Sequence, residues 1–133
     1  MSNTIAEEIT ITNVIAPKAQ SYGGNDTGAY IKCPPGLGTI DFVVRHGALA
    51  EGKKVTVEVY QASDTSGTGA AEITAYETDS TGATGGSASG QIILSVANAD
   101  VSKGYVTVKV SNDAASGTVP IDALAMTRKM HCK

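Results

Sequence analysis

Four side chains carry most of the chemical potential of this sequence: His46, His131, Cys33 and Cys132, its only imidazoles and thiols. Together they make the inventory of a tetrahedral zinc site, but their spacing fits neither a finger nor a ribbon. His131 and Cys132 are adjacent and on a strand would point to opposite faces. The pattern predicts no metal centre and reads both histidines as solvent-facing. A serine nucleophile needs a base within hydrogen-bond reach and a third group to orient that base. His46 is the only imidazole in the body of the chain, and no Gly-x-Ser-x-Gly elbow precedes a helix. The glycines of Ser63–Gly69 (SDTSGTG) lack the following Gly-Lys-Ser/Thr and the helix of a phosphate loop. Asp64, Glu72, Glu77 and Asp79 read as loop and solvent-face charges, not as a glycosidase pair. The expectation is a protein that is not an enzyme and holds no cofactor or metal.

The two cysteines are too few for a disulfide scaffold. A bridge between Cys33 and Cys132 requires their segments to be neighbours, and a reducing cytoplasm favours free thiols. The net charge is -3, from ten basic and thirteen acidic residues scattered along the chain, too weak a field to gather nucleic acid or an anionic membrane. The opening MSNTIAEEIT lacks the basic and apolar regions of a signal peptide. No stretch is apolar enough for a spanning helix.

What must position any site is a set of short alternations. Val55, Val57 and Val59 alternate with Thr56, Glu58 and Tyr60, and Val106, Val108 and Val110 alternate with Thr107, Lys109 and Ser111. Period two buries one face of each strand and wets the other. Further strands are expected at Glu8–Ile15, ended by Pro17, at Ala29–Cys33, closed by Pro34 and Pro35, and at Thr39–Arg45 and Gln91–Ala97. A weaker edge is expected at Glu72–Thr78. Ser21–Gly28, Ser63–Gly69 and Asp79–Gly90 are rich in glycine and small polar residues and read as loops. Thr118–Lys129 alternates Ile121, Ala123 and Ala125 against Asp122, Leu124 and Met126. Neither face is plainly polar, so it is either buried on both sides or covered by another subunit.

About eight strands in 133 residues predict one all-β domain. The fold class is an antiparallel β-sandwich, jelly-roll or immunoglobulin-like, with an aliphatic core around the single phenylalanine, Phe42. A short N-terminal arm (1–7) and a basic C-terminal tail (128–133) lie outside it. Ile5, Glu7, Glu8, Arg128, Lys129 and Met130 are the candidate contacts with a capsid or a neighbouring subunit.

Three stretches carry a family resemblance: Glu8–Pro17 (EITITNVIAP), Val55–Thr74 with its QASDTSGTGAAEIT segment, and Gln91–Val110 with Asp100-Val101 and Gly104-Tyr105-Val106. They resemble the head decoration (cement) or minor capsid proteins of tailed bacteriophages. Members often end in aspartate-proline-arginine-tyrosine, whereas this chain ends Met126 to Lys133. The resemblance implies a virion protein, made in the host cytoplasm, that binds the major capsid protein on the outer capsid surface as a homo-oligomer and stabilises the shell. It implies no catalytic residues. Two alternatives are a tail or head-tail connector component and a host-surface glycan-binding module reading sugars through the 63–69 and 79–90 loops.

Overall fold

The computed structural model describes residues 5–33 and 38–132, with side chains over 9–33 and 38–127. The described residues form ten strands: β1 Ile5–Ser21, β2 Asn25–Thr27, β3 Ile31–Lys32, β4 Thr39–His46, β5 Lys54–Ala62, β6 Ala71–Glu72, β7 Thr78–Thr81, β8 Gly90–Ala97, β9 Tyr105–Asn112 and β10 Thr118–Cys132. Sheet A has the order β1-β10-β4-β8. Sheet B has the order β2-β9-β5-β6, with β3 also on β9 and β7 also on β5. Every pairing is antiparallel. The architecture is the expected β-sandwich, with ten strands in place of about eight.

The valine alternations form the inner face of sheet B: Val55, Val57, Val59, Val106, Val108 and Val110 are all fully buried. Ile40, Phe42, Val44, Ile92, Leu94, Val96, Ile121, Ala123 and Ala125 meet them from sheet A. Ala125 and Leu94 lie beside Phe42 in register. The small alanine makes room for the one large ring, the volume matching that close packing needs.

Three expectations are corrected. Pro17 does not end the first strand, because register shifts between Asn13 and Ile15 and between Ile15 and Lys18 set Ala16 and Pro17 out of the ladder, where a missing N–H costs no bond. The Glu72–Thr78 alternation is broken by a 3-10 turn at Thr74–Tyr76. The Tyr76 hydroxyl donates to Asp100 and accepts from the Ala97 amide, so this turn clasps the corner after β8. Two expected loops also contribute strand, β2 from Ser21–Gly28 and β7 from the start of Asp79–Gly90, each pairing with a longer central strand. Pro34 and Pro35, expected to close the Ala29–Cys33 strand, lie outside the described residues.

The first and last strands are partners. Ile5 stands opposite Cys132, Glu7 opposite Met130 and Glu8 opposite Lys129. The pairing of β10 with β4 ends at Thr127 and Ile40. The backbone of 5–9 and 128–132 therefore forms a two-stranded ribbon reaching past the rest of sheet A.

Candidate functional site

The outer face of sheet A follows from alternation: residues next to the buried set along each strand must point away from sheet B. One row across the sheet is Ile11, Met126, Asp41 and Ser95, and the next is Asn13, Leu124, Val43 and Ile93. Ile9, Ile11 and Ile93 are 51%, 62% and 59% exposed. Val43, Leu124 and Met126 are half-buried between them. The two-sided apolar pattern of the last strand thus has a structural cause. One face enters the core and the other joins an apolar band on the surface.

The two carboxylates of this face are already paired. Asp41 accepts from Ser95 Oγ at 2.7 Å and from Thr39 Oγ1 at 3.4 Å. Asp122 holds Arg45 through two bonds, Nε at 2.8 Å and Nη2 at 2.5 Å, a bidentate pair closing the next row. Beyond that pair a cleft of about 330 Å³ opens between Pro17, Lys18, Pro120 and Gly47. The bulges that displace Pro17 also open this notch. Its cations are neutralised, Arg45 by Asp122 and Lys18 by Asp26 at 2.7 Å, so it offers an apolar side chain a better seat than an anion.

Sheet B presents the opposite surface. Glu58, Tyr60 and Lys109 are outward neighbours, with Lys109 Nζ 5.8 Å from the Tyr60 ring centre. Thr56 donates to Asp79 at 2.6 Å, and Lys54 lies 3.5 Å from the same carboxylate. A hydrogen bond with Glu58, together with desolvation and the charges of Glu58 and Glu77, pushes the Glu72 carboxyl up to about 7. The molecule has an apolar side and a charged side.

The residues first suspected of chemistry are dispersed. His46 is not solvent-facing: it is 5% exposed, Nε2 lies 2.8 Å from Ser80 Oγ and Nδ1 lies 2.8 Å from the Gly47 carbonyl. Sequence reasoning missed this pair because Ser80 is 34 residues away on the other sheet. An imidazole bonded to a hydroxyl and oriented by a carbonyl has the local form of an activated nucleophile. Here it bridges β4 to β7 in a closed setting. A Cβ at Gly90 would come 2.7 Å from the imidazole Nε2, so only glycine lets β8 pass. Cys33 is half-buried, and burial pushes its thiol up from the ordinary range. The side chains of His131 and Cys132 lie outside the described residues, as do those of Ile5, Glu7, Glu8, Arg128, Lys129 and Met130. No group of three metal-ligating side chains occurs among the described residues.

The SDTSGTG loop is committed to itself. Asp64 Oδ1 accepts the amides of Ser66 at 2.9 Å and Thr68 at 3.1 Å, and Oδ2 accepts the Thr68 hydroxyl at 2.6 Å. Gly67 and Gly69 supply the positive φ of 83° and 66° that the turn demands. Amides that a bound anion would need are taken by the Asp64 carboxylate. Gln61 Oε1 accepts from the Ser102 and Lys103 amides, and Lys103 Nζ donates to the Gly69 carbonyl, locking the loop to the neighbouring corner. The segment carrying the most specific part of the family resemblance is thus a rigid structural turn.

No protein-family model matches the chain, and no curated protein matches it in sequence. Solved structures share its fold. A chain of infectious bursal disease virus, Gx strain, superposes with a TM-score of 0.56 at 9% identity, over 90% of this chain and 32% of that one. The VP2 subviral particle of infectious bursal disease virus gives 0.55 at 9% identity with the same coverage. Dimeric latent PorU from Porphyromonas gingivalis gives 0.51 at 12% identity, over 94% of this chain and 13% of that one. This chain spans about a third of the length of the viral chains. At such identities the likeness is one of fold.

Proposed function

We propose that this protein is a structural component of a virion, and specifically a decoration protein that docks on the outer surface of a tailed-bacteriophage capsid and stabilises the shell. One observation carries the reading: Ile9, Ile11, Ile93, Val43, Leu124 and Met126 form an apolar band on one sheet, while the other sheet is charged. Large isoleucines on the surface of a soluble domain mark a contact. The asymmetry orients the domain, with sheet A toward the major capsid protein and sheet B toward solvent. The sequence resemblance to decoration proteins agrees, as does a fold shared with a viral protein that forms subviral particles.

The stabilisation is linkage. A protein that binds only the assembled lattice lowers the free energy of that lattice by RT ln(1 + [L]/Kd) at each site. Neither turnover nor a bound cofactor enters the reading. Ile5, Glu7, Glu8, Arg128, Lys129 and Met130 lie on the paired ribbon at the edge of the same sheet and are proposed to meet a neighbouring subunit.

Purified protein mixed with expanded empty capsids and with undecorated tail tubes tests the assignment. Saturating binding to capsids alone is expected. Binding to tail tubes instead would move the protein to the tail or connector, and a positive glycan array with no particle binding would make it a host-surface module.

A further inference from the structure

The free edge of β1 divides into two unlike halves. From Val14 to Ser21 it is blunted: the register shifts twice, Pro17 offers no donor, and the β2 region covers the backbone. The Ala29 amide donates to the Val14 carbonyl at 2.9 Å. Lys18 and Gln20 both bond to Asp26. Asn112 Nδ2 donates to Gln20 Oε1 at 2.7 Å and to the Ser21 carbonyl at 3.0 Å. Among the described side chains, Ile9 to Asn13 carry none of these devices. The register is regular, there is no proline, and Ile9 to Asn13 are exposed on both faces of the strand. Natural sheets rarely leave an edge with exposed isoleucines without a bulge, a proline, a charge or cover, and the only charges on this segment are Glu7 and Glu8. A two-stranded ribbon is also marginal in water until a third strand joins it.

The geometry points to a second copy of this chain as that third strand: β1 pairs with β1 of its copy, antiparallel and centred on Thr10. This register sets Ile9 of each copy opposite Ile11 of the other on the outer face, and Thr10 opposite Thr10. Glu8 falls opposite Thr12 and Glu7 opposite Asn13, so no carboxylate faces another. Shifting the centre to Ile9 would set Ile11 against Glu7, and shifting it to Ile11 would set Ile9 against Asn13; both lose the two isoleucine pairs. Any antiparallel self-pairing obeys a two-fold axis, and the Thr10-centred register is the one that sets both isoleucines of each copy against those of the other.

The result is one continuous eight-stranded sheet. A two-fold axis normal to that sheet keeps both apolar faces on the same side. Resting on the decoration reading, this places the dimer over a local two-fold axis of the shell with both docking faces down. Edge pairing over seven residues buries less than the about 1,200 Å² of a standard interface. The free dimer is therefore weak, while copies held side by side on a lattice pair by effective concentration.

Cross-linking of the full chain without capsids tests the pairing. With Cys33 and Cys132 replaced by serine, Thr10→Cys is expected to form an intermolecular disulfide under mild oxidation. Opposite Cα atoms of antiparallel strands lie about 4.5–5.5 Å apart, within disulfide range. Thr12→Cys is expected to stay monomeric, its copies being about 13 Å apart at four residues' offset. Ile9→Lys with Ile11→Lys, at exposed positions that leave the core intact, is expected to raise the dimer dissociation constant at least about tenfold in sedimentation. A monomer at millimolar concentration, or equal cross-linking at positions 10 and 12, overturns the inference. Cross-linking at position 10 without capsid binding would sink the decoration reading and leave the pairing standing; capsid binding without that cross-link would do the reverse.

Discussion

Ile93 separates docking from folding. It stands on β8, at the opposite edge of sheet A from β1, and 59% of it is exposed. Complete burial of an isoleucine stabilises by about 1.5–3 kcal/mol, so covering this exposed fraction on a shell contributes about 1–2 kcal/mol per copy. Ile93→Ala should therefore weaken capsid binding by about 5- to 30-fold, and Ile93→Lys should weaken it further by desolvating a charge. The same substitutions should leave the urea midpoint almost unchanged, since neither opens a cavity nor strands a buried partner. The assay is a pelleting isotherm with expanded empty capsids, run beside urea denaturation of the isolated protein. Unchanged capsid affinity in Ile93→Lys would refute the assignment of this face. A collapse of folding stability would show that Ile93 belongs to the core and that the apolar band is not a surface feature.

Other outcomes follow from features away from that face. Phe42→Ala removes the one aromatic side chain of a fully buried site and should cost about 3–5 kcal/mol in urea unfolding, a large share of a typical domain's stability; a loss below about 1 kcal/mol would contradict the packing. The Glu72 carboxyl should titrate near 7 by carbon-detected NMR, against an ordinary 4.5, and Glu58→Gln should return it toward that value. Because the folded value is the higher one, this site makes the protein lose stability as pH rises from 4.5 to about 7, and the slope should flatten in Glu58→Gln. Asp64 behaves in the opposite sense. The Thr68 hydroxyl and the loop amides hold its carboxyl below the ordinary 3.8, so its contribution is present above that pH and lost as pH falls through the lower folded value. Asp64→Ala should leave the sandwich folded and raise proteolytic cutting within 63–69; an uncut loop would show that the Asp64 bonds do not hold it.

The central strands were legible because their whole signal is local. Val55 to Val59 and Val106 to Val110 name their buried face by alternation alone, and the lack of a plainly polar side along 118–127 corresponds to one face in the core and one in the apolar band. Pro17 misled because a bulge lets a strand carry a proline, and a bulge leaves no mark in composition. His46 misled because its burial depends on Gly90, its partner in the β4–β8 ladder, and on Ser80, which approaches only once the two sheets have closed. Arg45 and Asp122 are likewise 77 residues apart and meet through strand register. The outer face of sheet A combines residues from β1, β4, β8 and β10, so its extent becomes visible only with the order of those strands.

The pairing of β1 with β10 constrains when the molecule can become itself. Of the described strands the first made must wait for the last before sheet A can assemble, so during synthesis Ile9, Ile11 and Ile15 stay without their partners until residues 123–128 have emerged. Long-range closure of this kind is slow and leaves strand edges open to wrong neighbours. The same adjacency brings both ends of the described chain to one ribbon tip. A label attached at Ile5 or Cys132 would stand beside the edge assigned to the second copy, and a label in the turn between β9 and β10 would stand at the far end of that strand, away from it.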